Sequence, residues 1–153
     1  MKRFLLLLLI TGIVAACEGP EGPMGEQGEP GEPGQGPNWV VLDINIKQSD
    51  WQRTGSVNEL ESFFSATYSV PELTNTVYND GIVMAYIEFA GNFQTPLPYT
   101  RYRGEQQGDD ELLWSETLDY EYGPGTITFY STPSDFATEY TPEGAVIRLA
   151  FIW

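Results

Sequence analysis

The sequence predicts a small all-β domain, either an antiparallel β-sandwich or a barrel-like domain, after a processed leader and a repetitive spacer. Three observations predict it: short segments in which apolar and polar residues alternate, glycine- and proline-containing connections between them, and no long amphipathic helical pattern. Setting aside the leader 1–16 and the spacer 17–37 leaves 116 residues, enough for one domain with one hydrophobic core.

Alternation in the first half of the domain predicts three strands and a short helical segment. The segment 38–47 places on one face Val40, Leu42, Ile44 and Ile46. A second strand places on one face Phe64, Ala66, Tyr68 and Val70. Residues 71–78 are expected to form one or two helical turns that end at Gly81. Residues 82–89 are apolar on both faces apart from Glu88, which is typical of a central strand covered on both sides.

The second half continues the pattern. Pro96 and Pro98 are expected to bracket a loop before an edge strand at 99–103, and the polar stretch 104–111 is expected to be a mobile loop. Residues 112–122 and 126–131 are predicted to form a hairpin around residues 123–125, with Ile127 and Phe129 pointing inward. The final strand, 145–153, places on one face Ile147, Leu149, Phe151 and Trp153.

Composition excludes several classes of function. The chain has 7 basic and 22 acidic residues, and loss of Lys2 and Arg3 with the leader leaves 5 against 22, a net charge of −17. A field of this sign repels nucleic acids and anionic headgroups. The chain contains no histidine and a single cysteine, Cys17, which excludes histidine-based nucleophile systems, imidazole metal sites, thiolate zinc sites and an intrachain disulfide.

The first seventeen residues have the layout of an export signal. Lys2 and Arg3 precede an apolar run at 4–10, which is shorter than the roughly 20 residues that cross a bilayer. The segment ends in Val14-Ala15-Ala16-Cys17, which resembles the lipobox of bacterial lipoproteins. This resemblance implies a diacylglyceryl thioether on Cys17 and an acylated new N-terminus, such as one carrying palmitate. The alternative is an ordinary signal peptide cleaved after Ala16.

Glycine then recurs at every third position, at residues 19, 22, 25, 28, 31 and 34, and the pattern resembles collagen repeats. The repeats contain four glutamates and no lysine or arginine, so three strands would bring twelve carboxylates together without a cation. We therefore favour a single extended stalk of about 60 Å at full stretch, with about 3.1 Å per residue. Trimerisation through the repeats is the less favoured alternative.

Three features of the domain are candidates for a site. Exposed aromatic side chains form platforms for sugar rings. The candidates for such a platform are Trp51, Tyr99, Tyr102, Tyr120 and Tyr122. We favour the alternative that most aromatic residues of a strand-rich domain of this size lie in its core. Arg101 and Arg103 project to one face of a strand, where they either clamp a partner's carboxylate or, as we favour, pair with acidic residues of this chain. The acidic run 109–111 lacks the spacing of a calcium loop and is expected to be solvated, so no metal or cofactor is predicted.

The order of lipobox, Gly-x-y spacer and compact β domain resembles the collagen-like-repeat lipoproteins of Gram-negative bacteria. The resemblance implies attachment to the cell envelope, and Glu18 and Glu21 are compatible with the outer membrane and its outer surface. The sequence thus predicts a non-enzymatic, lipid-anchored protein that displays an interaction or scaffolding domain. The alternative is a carbohydrate-binding accessory module of a glycan uptake or degradation system, with Trp51, Arg101, Arg103 and Tyr120 as weak binding candidates.

Overall fold

Antiparallel strands make up most of residues 36–89 and 92–153, the part of the chain that a computed structural model describes. The nine strands of this part are β1 (Trp39–Ile46), β2 (Gln52–Thr54), β3 (Phe63–Ser69), β4 (Ile82–Phe89), β5 (Phe93–Pro96), β6 (Tyr99–Gln107), β7 (Asp110–Gly123), β8 (Thr126–Pro133) and β9 (Ala145–Ile152). One short helix, α1 (Asn75–Asp80), and a 3₁₀ turn (Gln48–Asp50) accompany them in these ranges. The prediction of an all-β domain is therefore confirmed.

The described strands form two sheets, one of four strands in the order β1-β9-β4-β5 and one of five in the order β2-β3-β8-β7-β6. Their apolar faces contribute to one core, and its largest fully buried side chains come mainly from the internal strands β8 and β9. These side chains are Phe129, Phe151, Ile127, Ile147 and Leu149. The alternation predicted for 38–47, 64–70, 126–131 and 145–153 is confirmed, because the buried positions fall on the predicted faces.

Two connections differ from the prediction. Residues 104–111 do not form a loop: β6 and β7 pair up to Gln107 and Asp110, with Gly108 at a φ of +66° in the turn. The stretch is polar because both faces of this ribbon meet solvent, and a polar ribbon resembles a loop in sequence. Pro96 ends β5, a short edge strand, where the missing N–H of proline is tolerated.

The strand β4 has one buried face, not two. Its inward residues Val83, Ala85 and Ile87 are buried, whereas Ile82 on the outer face is exposed and the other outer residues are half-buried. The expectation of a strand covered on both sides is wrong, since Ile82 is exposed and Met84, Tyr86 and Glu88 are only half-buried. Apolar outer residues on β4 therefore form surface.

Two glycines are required where they stand. Gly81 ends α1, and a Cβ atom there would lie 2.6 Å from the Val77 carbonyl oxygen and 2.9 Å from that of Ile152. Gly125 follows Pro124 in the β7–β8 turn with a φ of +79°, which fits a type II turn. The hairpin at 123–125 and the stop at Gly81 are confirmed, although the helix begins at Asn75, later than predicted.

The leader 1–16, Cys17 and the spacer as far as residue 35 lie outside the described residues, so the predictions made for them stay predictions. In the part of the chain that is described, neither helical segment has the length and hydropathy needed to cross a bilayer.

Candidate functional site

The inner face of β7 changes from apolar to polar along the strand. At one end Leu118 is buried, and the hydroxyl of Tyr120 donates a hydrogen bond of 3.2 Å to the carbonyl oxygen of Val83 in the other sheet. Two residues before Leu118 the same face carries Glu116, and two residues before Glu116 it carries Trp114. The core therefore gives way to a polar site within one strand.

Glu116 accepts hydrogen bonds from three side chains of neighbouring strands. The Nε atoms of Arg101 and Arg103 lie 2.8 and 3.1 Å from its Oε2, and the Oγ of Ser131 lies 2.9 Å from its Oε1. Arg101 and Glu116 are register partners on β6 and β7, and Ser131 lies on β8. The pairing thus forms across strands and holds the carboxylate in one orientation.

Burial and charge act in opposite directions on Glu116, whose side chain is 15% exposed. Burial raises the pKa of its carboxyl group, but the charge of Arg101 and the hydrogen bonds from Ser131, Arg101 and Arg103 outweigh burial, so the pKa is lowered. Glu116 is therefore ionised at neutral pH. A carboxylate that is ionised at neutral pH and paired with two arginines is unsuited to act as a general acid, which needs a raised pKa.

The segment 134–144, between β8 and β9, forms the opposite wall of the site. The hydroxyl of Thr138 is buried and lies 2.6 Å from that of Ser62, and the Thr138 amide donates to Asn58. The indole N–H of Trp51 donates to the carbonyl oxygen of Glu143 at 3.1 Å. These bonds attach the wall to residues before and after β2, so an irregular segment becomes a fixed surface.

Between this wall and the sheet lies a cleft of about 520 Å³. Its apolar part includes Trp114, which is half-buried, and Tyr140, which is highly exposed. The described charged residues that line it are Arg103, Glu105, Glu116, Asp135, Glu139 and Glu143. A smaller cavity of about 210 Å³ lies next to the cleft and shares with it both Glu116 and Ser131. Aromatic surface next to fixed polar groups is typical of small-ligand sites.

No family model, curated protein or solved structure matches this chain. The comparisons therefore supply neither a family nor a ligand for the cleft.

The aromatic platform, the less favoured interpretation of the sequence, is not formed by its candidates, most of which lie in or against the core as the favoured interpretation expects. Trp51 is only 7% exposed and belongs to the core, and Tyr120 is half-buried with its hydroxyl bonded inside the domain. Tyr122 and Tyr99 also pack against the core, because the inward positions of β6 and β7 take them there. Tyr102 is exposed, but on the outer face of β6, away from the cleft.

The two arginines behave as the favoured interpretation expects, since both pair with Glu116 of this chain. The acidic run 109–111 lies at the turn between β6 and β7, where Asp109 and Glu111 are exposed. Among the described residues, no group of three or more acidic side chains is arranged to hold a metal ion.

The sequence-based candidates did not include Trp114, Glu116 or Tyr140, which line the cleft. The sequence could have indicated Glu116 as a site residue, because Glu116 occupies an inward position between Trp114 and Leu118 in an otherwise apolar series. A charged residue at an inward position needs a buried partner, and two arginines lie on the preceding strand. Tyr140 gave no such signal, since it lies in an irregular segment whose path depends on tertiary contacts.

Proposed function

We propose that this protein is a non-enzymatic, lipid-anchored protein of the cell envelope that displays a β-sandwich interaction or scaffolding domain on an acidic collagen-like stalk.

 The domain binds a partner in its cleft and carries out no reaction on it. Two observations support the proposal: the lone cysteine of the chain ends a segment that resembles a lipobox, and the cleft combines aromatic surface with a fixed ion cluster.

The sequence around Cys17 supports the lipid anchor. Its small neighbours Ala15 and Ala16 suit a signal peptidase, and two or more acyl chains, at about 0.8 kcal/mol per buried CH₂, anchor a protein stably. The glycine-rich spacer that follows would keep the acidic domain away from the headgroups. An outer-membrane location, with the domain on the outer surface, is part of the proposal.

Replacing Cys17 tests the anchor. We expect the full-length protein to fractionate with membranes and to yield an acylated N-terminal peptide at residue 17 by mass spectrometry. In Cys17→Ala the thioether cannot form, so the exported protein should lose the modification and leave the membrane fraction. Ser49→Ala, an exposed change in the domain, is the control and should stay in the membrane fraction. A wild-type protein with a free Cys17 thiol would contradict the proposal.

The chemistry of the cleft supports binding without catalysis. Glu116 is held ionised by its arginine partners and offers no proton at neutral pH. The wall of the cleft, segment 134–144, is held to the rest of the domain by the hydrogen bonds of Thr138 and Trp51. This favours a preformed site over one that closes on a reacting substrate. A preformed site of this kind suits recognition.

A carbohydrate ligand is the second candidate, and one observation favours it. Trp114 and Tyr140 line the same cleft as carboxylate and guanidinium groups, so apolar faces and hydrogen-bonding groups occur together. Sugars present C–H faces that pack on aromatic rings and hydroxyl groups that bond to charged side chains. The site proposed for glycans is thus the cleft, in place of Trp51 and Tyr120.

A glycan array distinguishes the two candidates. If the ligand is a glycan, the domain should bind a defined subset of the array, and Trp114→Ala or Tyr140→Ala should weaken that binding at least tenfold, which corresponds to about 1.4 kcal/mol. Tyr102→Ala removes an exposed aromatic side chain outside the cleft and should change nothing. Binding to no glycan, or binding unaffected by both cleft variants, would exclude this candidate.

A further inference from the structure

The outer face of the four-stranded sheet carries two apolar rows at the end where β1 begins. Register partners on β1, β9 and β4 define them. The first row consists of Trp39, Ile152 and Ile82, and the second of Val41, Ala150 and Met84. We call these six residues the apolar rows. Trp39 is 71% and Ile82 60% exposed, so the rows present large hydrophobic side chains to solvent.

This exposure is not that of a frayed chain end. Asn38, which precedes the rows, exchanges two backbone hydrogen bonds with Trp153, at 2.8 and 3.0 Å. The ladder between β1 and β9 therefore extends one residue beyond Trp39, and the indole is exposed on an ordered strand. Adjacent exposed apolar side chains on a rigid surface are typical of interaction sites, whereas single ones are common everywhere.

A charged row borders the apolar rows on the same face. Arg148 on β9 donates to Asp43 on β1 through two hydrogen bonds of 2.8 and 3.1 Å, and its second contact is Glu88 on β4 at 3.9 Å. The arginine is thus already paired within the domain. This leaves the described border of the rows without a free cation for an anionic headgroup, which argues against a lipid surface as the occupant.

We propose that the apolar rows bind the same rows of a second copy of this chain. A two-fold contact places the same patch on both partners, and an apolar patch needs no charge pattern to be complementary to itself. The chain that precedes β1 supports this occupant. The Gly-x-y tract ends at residue 36, three residues before Trp39, so every copy enters the domain beside the rows on a tether of the same length.

The contact should be weak on its own. Three strands about 4.8 Å apart and two rows about 7 Å apart give a patch of a few hundred Å² at most. A stable interface buries roughly 800 Å² on each partner. Repulsion between two acidic domains weakens the contact further, and salt screens that repulsion. Self-association should therefore rise with protein concentration and with ionic strength.

Concentration-dependent NMR spectra of the mature chain, residues 17–153 with Cys17→Ser, test the proposal. This protein carries no lipid, so the result does not depend on the proposed anchor. Between dilute and concentrated samples we expect amide shifts to change on the outer positions of β1, β9 and β4, and more so at higher salt. The outer positions of β6, β7 and β8 should not change. Trp39→Lys and Ile82→Lys should each raise the concentration needed at least tenfold.

Tyr102→Lys is the control, because it adds the same charge at an exposed aromatic position on the other sheet. It should retain the shifts of the parent protein, and circular dichroism should show that all three lysine variants are folded. Spectra that stay constant with concentration would overturn the proposal, as would shifts that Tyr102→Lys removes as fully as Trp39→Lys. Flotation with phosphatidylethanolamine–phosphatidylglycerol vesicles that depends on Trp39 would assign the rows to a membrane instead and would also overturn it.

Discussion

Phe129→Ala is expected to lower the free energy of unfolding by about 3–5 kcal/mol, the usual cost of emptying a buried aromatic site. Phe129 is fully buried on β8, an internal strand of the five-stranded sheet, and its ring makes an edge contact with Tyr68 at 6.2 Å between centroids. Small domains are stable by about 5–15 kcal/mol, so this one change should remove a large part of the total. Urea denaturation followed by fluorescence measures it.

Phe93→Ala provides the comparison for this variant. The side chain of Phe93 is 72% exposed on the short edge strand β5, so its removal should cost no more than about 1 kcal/mol. Both variants lose the same atoms, and the difference between them isolates burial. Equal losses of stability in the two variants would mean that Phe129 does not lie in the core.

Glu116→Gln should lower the free energy of unfolding by about 1–3 kcal/mol at neutral pH. The amide keeps the shape of the side chain but leaves Arg101 and Arg103 without the carboxylate that both contact. Loss of one partner from a fully buried ion pair costs about 3–5 kcal/mol. The expected value is smaller because the arginine side chains are 28% and 33% exposed and water screens them in part.

The same variant should also change how stability depends on pH. In the folded domain the pKa of Glu116 lies below its usual value of 4.5. The stabilisation is therefore complete above about pH 4.5 and is lost as pH falls through the lower, folded-state pKa. Denaturation at a series of pH values should show the difference between wild type and Glu116→Gln shrinking below that point.

Asp43→Asn is the control for the pH series. It also removes a carboxylate from an arginine pair, but the pair of Asp43 with Arg148 lies on the surface. We expect a smaller loss of stability, since solvent screens exposed pairs. If Asp43→Asn proves as costly as Glu116→Gln, the cluster at Glu116 has no special role in the domain.

Strand alternation carried most of the fold prediction, and it did so for a physical reason. Side chains of successive residues point to opposite faces of a strand, so half-buried strands such as β1 and β9 show their buried face directly in the sequence. The rule fails where a strand has no buried face, as in the ribbon around Gly108, and where an apolar outer face stays exposed, as on β4. The strands β2 and β5 were missed because three or four residues show no period.

The amino-acid sequence alone predicts the layout of this protein: an export signal at 1–16, a lipidated Cys17 followed by a glycine-repeat spacer, and strands whose inward faces make a core. These features depend only on residue type and local spacing, and both can be read from the sequence without knowledge of tertiary contacts. Tertiary structure decided which aromatic side chains remain at the surface. Trp51 is covered by the segment that ends at Gly144, whereas Trp39 stays exposed on an edge strand, because burial depends on residues that are distant in sequence and meet only after the sheets pack.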